Sequence, residues 1–512
     1  MPLRKWLERS HVQPGAPGLR ALSVSPNEWR QAAEDLAATG ARHLALWASP
    51  AGAGTLGVRA AFLVEQGGIL LTLAELSPTE VYPGIEDLFP AAARMQRAIT
   101  DLSGLRSTAT DSRPWLRHAA WPDNYHPLVD PPLSQPPAEP SIDTYPFVRV
   151  EGDGVHEIAV GPVHAGTIEP GHFRFSVVGE KVLRLEEHLG YVHKGIEQRF
   201  TQLPILDAHR LAARVSGDSA VAYSWAYCQA LEGISGIEIP PRAAWLRALY
   251  LELERIANHL GDLGALGNDA GFAFGLMQFG RLKEQLLRTQ QEIFGARYLM
   301  DAIVPGGTLH DLAQPNVPSL RTCLLEIEQE VEMLRTIYEE HAGVRDRFTG
   351  AGTVTVELAT RLGLTGLAGR ASGQAFDLRI DLPCEPYRRL GVTKMVRTEG
   401  DVAARVAVRF DELREACRLI QKILDALPDG AHGAPIPLPA ERSVGMGLIE
   451  GWRGPVAVAL EAGPGGTIRW CHPHDPSWQN WPVLEHAIIG NIVPDFPLIN
   501  KSFNLSYSGH DL

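Results

Sequence analysis

Behind the dipeptide Pro240-Pro241, the apolar residues Leu246, Leu249, Leu253, Ile256, Leu260 and Leu263 recur at alternating spacings of three and four. That period places all six on one face of a long helix. Proline suits its start, because the N–H that proline lacks is one that a helix terminus leaves unpaired anyway. A stripe this long must be buried, and similar spacings over Leu276–Phe294, Leu320–His341 and Ala403–Leu427 supply helices that can cover it. The expected core is therefore a helical bundle. The remaining faces of the first helix carry Arg247, Glu254, Arg255, Asn258, His259 and Asp262, expected as a solvated or interhelical polar face.

At 512 residues the chain exceeds one ordinary core, and two domains are the simplest division. Val129–Pro146, with Pro131-Pro132, Pro136-Pro137 and Pro140, can form neither helix nor central strand. Ahead of it, Trp29–Thr39 has helical spacing and ends at Gly40, and β-type runs follow at His43–Trp47, Val58–Val64 and Ile69–Leu73. Behind it, Phe147–Val160 partly alternates and Phe173–Val182 is strand-like, before helices dominate. Near the end, Gly447–Trp452 and Val456–Glu461 lead through Ala462–Gly466 into Thr467–Trp470, a hairpin pattern. The expected fold class is α+β: a small α/β domain over residues 1–128, a linker over 129–146 and a mostly helical domain with small β-sheets over 147–512. The run Cys471-His472-Pro473-His474-Asp475 has metal-capable side chains, but its proline and the lack of a second ligand pair point to a loop.

Lys plus Arg number 47 against 60 Asp plus Glu, a net charge of −13 that works against wrapping nucleic acid or lying on an anionic bilayer. The best apolar stretch, Ala60–Leu76, is broken by Glu65, Gln66 and two glycines, so no direct membrane insertion is expected. Met1–Arg9 has no apolar run behind its basic residues, which suggests a cytoplasmic protein. Cys228, Cys323, Cys384, Cys417 and Cys471 stand singly, as reduced core thiols would, and no C-x-x-C pair exists to hold a thiolate-ligated metal. There is no P-loop, G-x-S-x-G elbow or H-E-x-x-H, which removes the common NTPase and hydrolase readings.

What remains are specific strings: Gly161-Pro162-Val163-His164-Ala165-Gly166, Glu169-Pro170-Gly171-His172-Phe173-Arg174, Tyr191–Glu197, Gly236–Ala243, Asn258-His259-Leu260-Gly261-Asp262 and Asn491–Phe503. In this order they resemble the large subunit of membrane-bound, energy-converting nickel–iron hydrogenases of the formate hydrogenlyase type. They are more distantly similar to the quinone-site subunit of respiratory complex I. Gln96–Leu105 and Asp123–Leu128 look like a decayed form of the small complex I subunit often fused ahead of it.

The resemblance implies four cysteine ligands, two in a C-G-x-C run and two in a D-P-C-x-x-C run. Counting back from Gly236 and forward from Lys501 places these on Ser216-Gly217-Asp218-Ser219 and Asn504–Gly509. Ser216, Ser219, Ser506 and Gly509 then stand where thiolates would be required, and a serine hydroxyl, protonated near neutral pH, is a poor ligand for a soft metal. The expectation is a chain without a nickel–iron centre and without any metal of its own. By the complex I resemblance, a quinone is the implied ligand, with His164 and His172 in the matching loop; Tyr223 and Tyr227 lie close in sequence but read as packing residues. Arg214 would face the iron–sulfur cluster of a partner small subunit, and Glu197 and Asp218 would complete a proton or quinone pocket. Membrane antiporter-like subunits are the other implied partners, holding the protein peripherally on the inner face of the membrane. A scaffold that keeps only the fold is the alternative.

Overall fold

The computed structural model describes residues 2–512 except 53, 66, 78, 119–120, 123, 132, 134–144 and 166–167. Much of the proline-rich stretch, with Pro132, Pro136, Pro137 and Pro140, therefore lies outside the described residues, as do Asp123 and Gly166 of the motifs above. Helix outweighs strand, 44% to 19%, in the expected α+β arrangement.

The N-terminal part is built on a sheet ordered His11–Val12, β1 (Leu19–Ser23), β4 (Gly67–Leu76), β3 (Thr55–Val64), β2 (Arg42–Gly52), with helix α1 (Pro26–Ala38) between β1 and β2. The β1–β4 pair is parallel and the β4–β3 and β3–β2 pairs are antiparallel. Ser25 and Glu28 close a capping box at the start of α1. Strands β2–β4 are apolar on both faces because both are covered. Leu46, Val58, Phe62 and Leu71 join the core that includes α1 and α2 (Ala92–Ser103). Leu44, Trp47, Leu63 and Leu70 face residues of a C-terminal sheet, among them Met446, Leu448 and Ala459. Arg59 and Glu461 form a buried ion pair across that junction, 2.8 Å apart.

Strands β5 (Val155–Val160), β6 (His172–Val178) and β7 (Lys181–His188) make an antiparallel meander. After the short helix α3 (Ile196–Phe200), the bundle comprises α4 (Ala220–Ser235), α5 (Pro241–Asp269), α6 (Ala273–Phe294), α7 (Val317–Glu340) and α8 (Val402–Ala426). All six residues of the leucine–isoleucine stripe on α5 are fully buried. At about 1.5 Å per residue the helix spans about 44 Å. Its polar faces are interhelical rather than solvated: Arg247 pairs with Glu232, and Asp262 with Arg409 of α8.

The C-terminal meander is β8 (Ser443–Glu450), β9 (Pro455–Gly463) and β10 (Thr467–His474), followed by α9 (Ser477–Ala487), α10 (Phe496–Phe503) and α11 (Tyr507–Asp511). The expected loop at Cys471–Asp475 is corrected here, since Cys471–His474 belong to β10. Pro473 is tolerated because β10 is an edge strand, with no further ladder needing its missing N–H. Strand β8 lies so close on α4 that a Cβ on Gly447 would collide with the Ala226 carbonyl. Gly447→Ala is therefore expected to destabilise the protein by about 2–3 kcal/mol through overpacking, read as a lowered thermal midpoint.

Candidate functional site

Two segments far apart in sequence are brought together under the bundle. The turn Ser216–Ser219 leads into α4, and Asn504–Ser506 links α10 to α11. They meet where the Ser216 and Ser506 hydroxyls hydrogen-bond at 2.9 Å. Ser216 Oγ also donates to Asp218 Oδ1 at 2.7 Å, and Ser506 Oγ accepts the Gly509 N–H at 2.8 Å. The Asp218 carbonyl takes hydrogen bonds from Asn258 Nδ2 and Trp452 Nε1, which fix the turn against α5 and the β8–β9 connection.

Arg453, in that connection and 3% exposed, reaches Asp218 Oδ2 with Nη2 at 2.6 Å and the Asn504 carbonyl with Nε at 2.6 Å. Ser219 Oγ lies 3.4 Å from Arg453 Nη1. Burial pushes the Asp218 carboxyl up, but the Arg453 guanidinium and the serine hydroxyls outweigh it and hold the group below the usual range.

Beside this cluster opens a cavity of about 530 Å³. Its walls come from the β5–β6 connection with His164 and Glu169, from the Ser216–Asp218 turn, from Asp269 at the end of α5, and from Lys501 and Tyr507. Tyr507 Oη and His164 Nε2 are 3.2 Å apart at its edge, and the Ser508 N–H donates to Glu169 Oε2 at 3.0 Å. Burial lowers the His164 pKa, so the ring is neutral near pH 7 and can serve as a hydrogen-bond partner without charge. Burial also raises Asp269, against the pull of Lys501.

His164, Ser216, Asp218 and Ser506 thus line one cavity, with Ser219 and Gly509 in the hydrogen-bonded wall behind it. Three other candidates are elsewhere. His172 sits on β6 with its ring against Phe147. Glu197 on α3 hydrogen-bonds His472 at 2.8 Å, under the N-terminal sheet. Arg214 turns outward into a two-pronged ion pair with Asp301, at 2.5 and 2.8 Å. Tyr223 and Tyr227 are buried, donating to Asp475 and to the Ile205 carbonyl. Sequence reasoning missed Arg453, Tyr507, Asp269 and Lys501. Tyr507 lay inside the second counted run but at a variable position, and Arg453 was a lone charge between two apolar strands.

A family model described as the 49 Kd subunit of respiratory-chain NADH dehydrogenase matches residues 269–445. Formate hydrogenlyase subunit 5 of Escherichia coli (strain K12) is 32% identical over 451 residues, 84% of this chain and 77% of that protein. The chain belongs to the family of hydrogenase-type and complex I 49 Kd-type subunits. Other members include the carbon monoxide-induced hydrogenase of Rhodospirillum rubrum, 31% identical over 68% of this chain and 97% of its own length. The NADH-quinone oxidoreductase C/D polypeptide of Bacteroides fragilis is 29% identical over 75% of this chain and 76% of its own. Among solved structures, a chain of the archaeal membrane-bound sulfane sulfur reductase complex shares the fold, with a TM-score of 0.65 at 24% identity over 70% of this chain and 99% of that one.

The residues of this family member do not fit a nickel–iron centre. The implied ligand positions offer three hydroxyls and one glycine, and Ser216 and Ser506 already hydrogen-bond each other. At the fourth position a Cβ on Gly509 would come within 2.5 Å of Asp475 Oδ2, a carboxylate fixed by Tyr223 and the Ser477 N–H. Among the described residues no group of three or more His, Cys, Asp or Glu could hold a metal ion. All five cysteines are free; four are buried and Cys384 is partly so.

Proposed function

We propose that the cavity is a metal-free acceptor site in a membrane-associated redox complex, where a quinone headgroup receives electrons from an iron–sulfur small subunit. The observation that carries this reading is the His164–Tyr507 pair, a neutral imidazole and a phenol at the edge of a polar cavity. The phenol can donate to one carbonyl oxygen of a bound headgroup, while Lys501 and Arg453 supply positive charge where the reduced oxygens develop negative charge. Two electrons from the partner's cluster and two protons from the cavity side then turn quinone into quinol. Among the described residues no helix is long and apolar enough to cross a membrane. Docking on antiporter-like membrane subunits, on the inner face of the membrane, would bring the cavity to a lipid-soluble acceptor.

Tyr507→Phe and His164→Phe each remove one partner of a part-buried hydrogen bond, so stability should change by no more than about 1.5 kcal/mol. Reduction of decylubiquinone by the purified complex should fall by at least about tenfold in both. Unchanged turnover would instead favour the scaffold alternative, which gains support from how completely Ser216, Asp218, Ser506 and Arg453 bond to one another.

A further inference from the structure

Behind the Gly217–Asp218 turn lies a second cavity of about 200 Å³, walled in part by Glu254, Asn258, Lys283, Gln290 and Tyr298. Gly217 and Asp218 line both cavities, so a single turn of backbone separates them. A Cβ added to Gly217 would meet nothing within 4 Å, so the space beside it is open.

The interior of this cavity asks for water. Gln290 is 1% exposed, and its amide Nε2 has no hydrogen-bond partner among the described residues. A buried donor of that kind is ordinarily satisfied, here by a molecule small enough for the cavity. Glu254 is buried on α5, its oxygens accepting the N–H groups of Val221 at 2.7 Å and Ala222 at 3.3 Å. Burial pushes its carboxyl up to about 8, against the pull of those two amides and of Arg255, with Asp218 adding to the rise. Lys283 of α6 and Asp218 of the turn are the other charged groups in the wall, and the exposed Tyr298 marks the mouth.

We propose that the second cavity is a water-filled proton inlet to the site, with Glu254 as its proton-loading group. The inference rests on the reading that the first cavity holds an acceptor that consumes protons. Cavity water delivers a proton from bulk to Glu254, and Glu254 releases it past the Gly217–Asp218 turn when the acceptor takes one up. The net result is one bulk proton moved inward with the carboxyl restored.

The test is an infrared difference titration of the purified complex in buffer alone, which needs no acceptor. A buried protonated carboxyl should disappear with a midpoint of about pH 8, should exchange with D2O within seconds, and should be absent in Glu254→Gln. Glu254→Asp, the smaller change, should keep a titrating carboxyl at a shifted midpoint. Gly217→Leu should leave the titration intact and slow decylubiquinone reduction at least about tenfold, with an increased solvent isotope effect. If the wild-type complex reduces no decylubiquinone, the acceptor reading fails, yet titration and exchange still decide the inlet. A carboxyl band unaffected by Glu254→Gln, or one exchanging as slowly as core amides, overturns it.

Discussion

Glu412→Ala should destabilise this protein by about 3–5 kcal/mol, lowering its thermal midpoint by roughly 3–6 °C. Glu412, on α8 and 1% exposed, accepts from Arg370 Nε at 2.7 Å and lies 3.0 Å from His259 Nε2 of α5. Arg370, fully buried on the short helix Gly366–Arg370, also donates to Glu450 of β8 at 2.8 Å. On α5, Glu252 bonds Arg255, Arg379 and the Tyr387 hydroxyl. Removing Glu412 leaves the Arg370 and Arg255 guanidiniums, 2.7 and 3.7 Å from it, one counter-charge short in a dry interior, and that deficit is what makes the loss large. Burial would raise the Glu412 carboxyl, but Arg370 and His259 outweigh burial and hold it well below the usual range. Its folded pKa lies below its unfolded one, so its contribution is complete above about pH 4.5 and is lost only as pH falls through the depressed value. Glu412→Ala should therefore flatten the acid limb of the stability curve while lowering the neutral plateau.

The second large effect concerns the site. Asp218→Ala strips the buried Arg453 of its carboxylate, whereas Arg453→Met leaves Asp218, 37% exposed toward the cavity, free to be hydrated. The two substitutions are therefore unequal. Asp218→Ala should destabilise by about 2–4 kcal/mol, below a fully buried pair because cavity water screens it, and Arg453→Met by less. The double variant should be more stable than Asp218→Ala alone, and a double-mutant cycle with denaturant measures the coupling. Strict additivity would mean that the pair does not organise the turn. Under the proposed acceptor function, Asp218→Ala should also abolish quinone reduction, because Ser216 loses its acceptor and the turn that walls the cavity loses its anchor.

Periodicity carried the bundle. The stripe on α5 is buried as its spacing demands, because a helix of 29 residues averages over local exceptions. Helix α2 shows where periodicity fails. Arg94, Gln96, Arg97, Asp101 and Ser103 are all buried, bonded to loops and neighbouring carboxylates, so its apolar rhythm is hidden by polar residues with internal partners. The proline in β10 concealed an edge strand in the same way.

The site was legible only in part. Ser216 and Ser506 are 290 positions apart, and no local rule brings them to 2.9 Å; the family resemblance pointed to both runs, and the structure brings them together. Arg214, two residues from Ser216 and expected to face a partner's cluster, lies outside the cavity in its ion pair with Asp301. Tyr507 and Arg453 needed the third dimension, since their partners, His164 and Asp218, come from the β5–β6 connection and the start of α4.

We propose a polar, metal-free pocket at the implied nickel–iron ligand positions Ser216, Ser219, Ser506 and Gly509. Elemental analysis of the intact complex, purified without oxygen from cells supplied with nickel, tests it most directly. The account predicts iron attributable to the iron–sulfur partner and no nickel above background. One nickel per copy of this chain would contradict it.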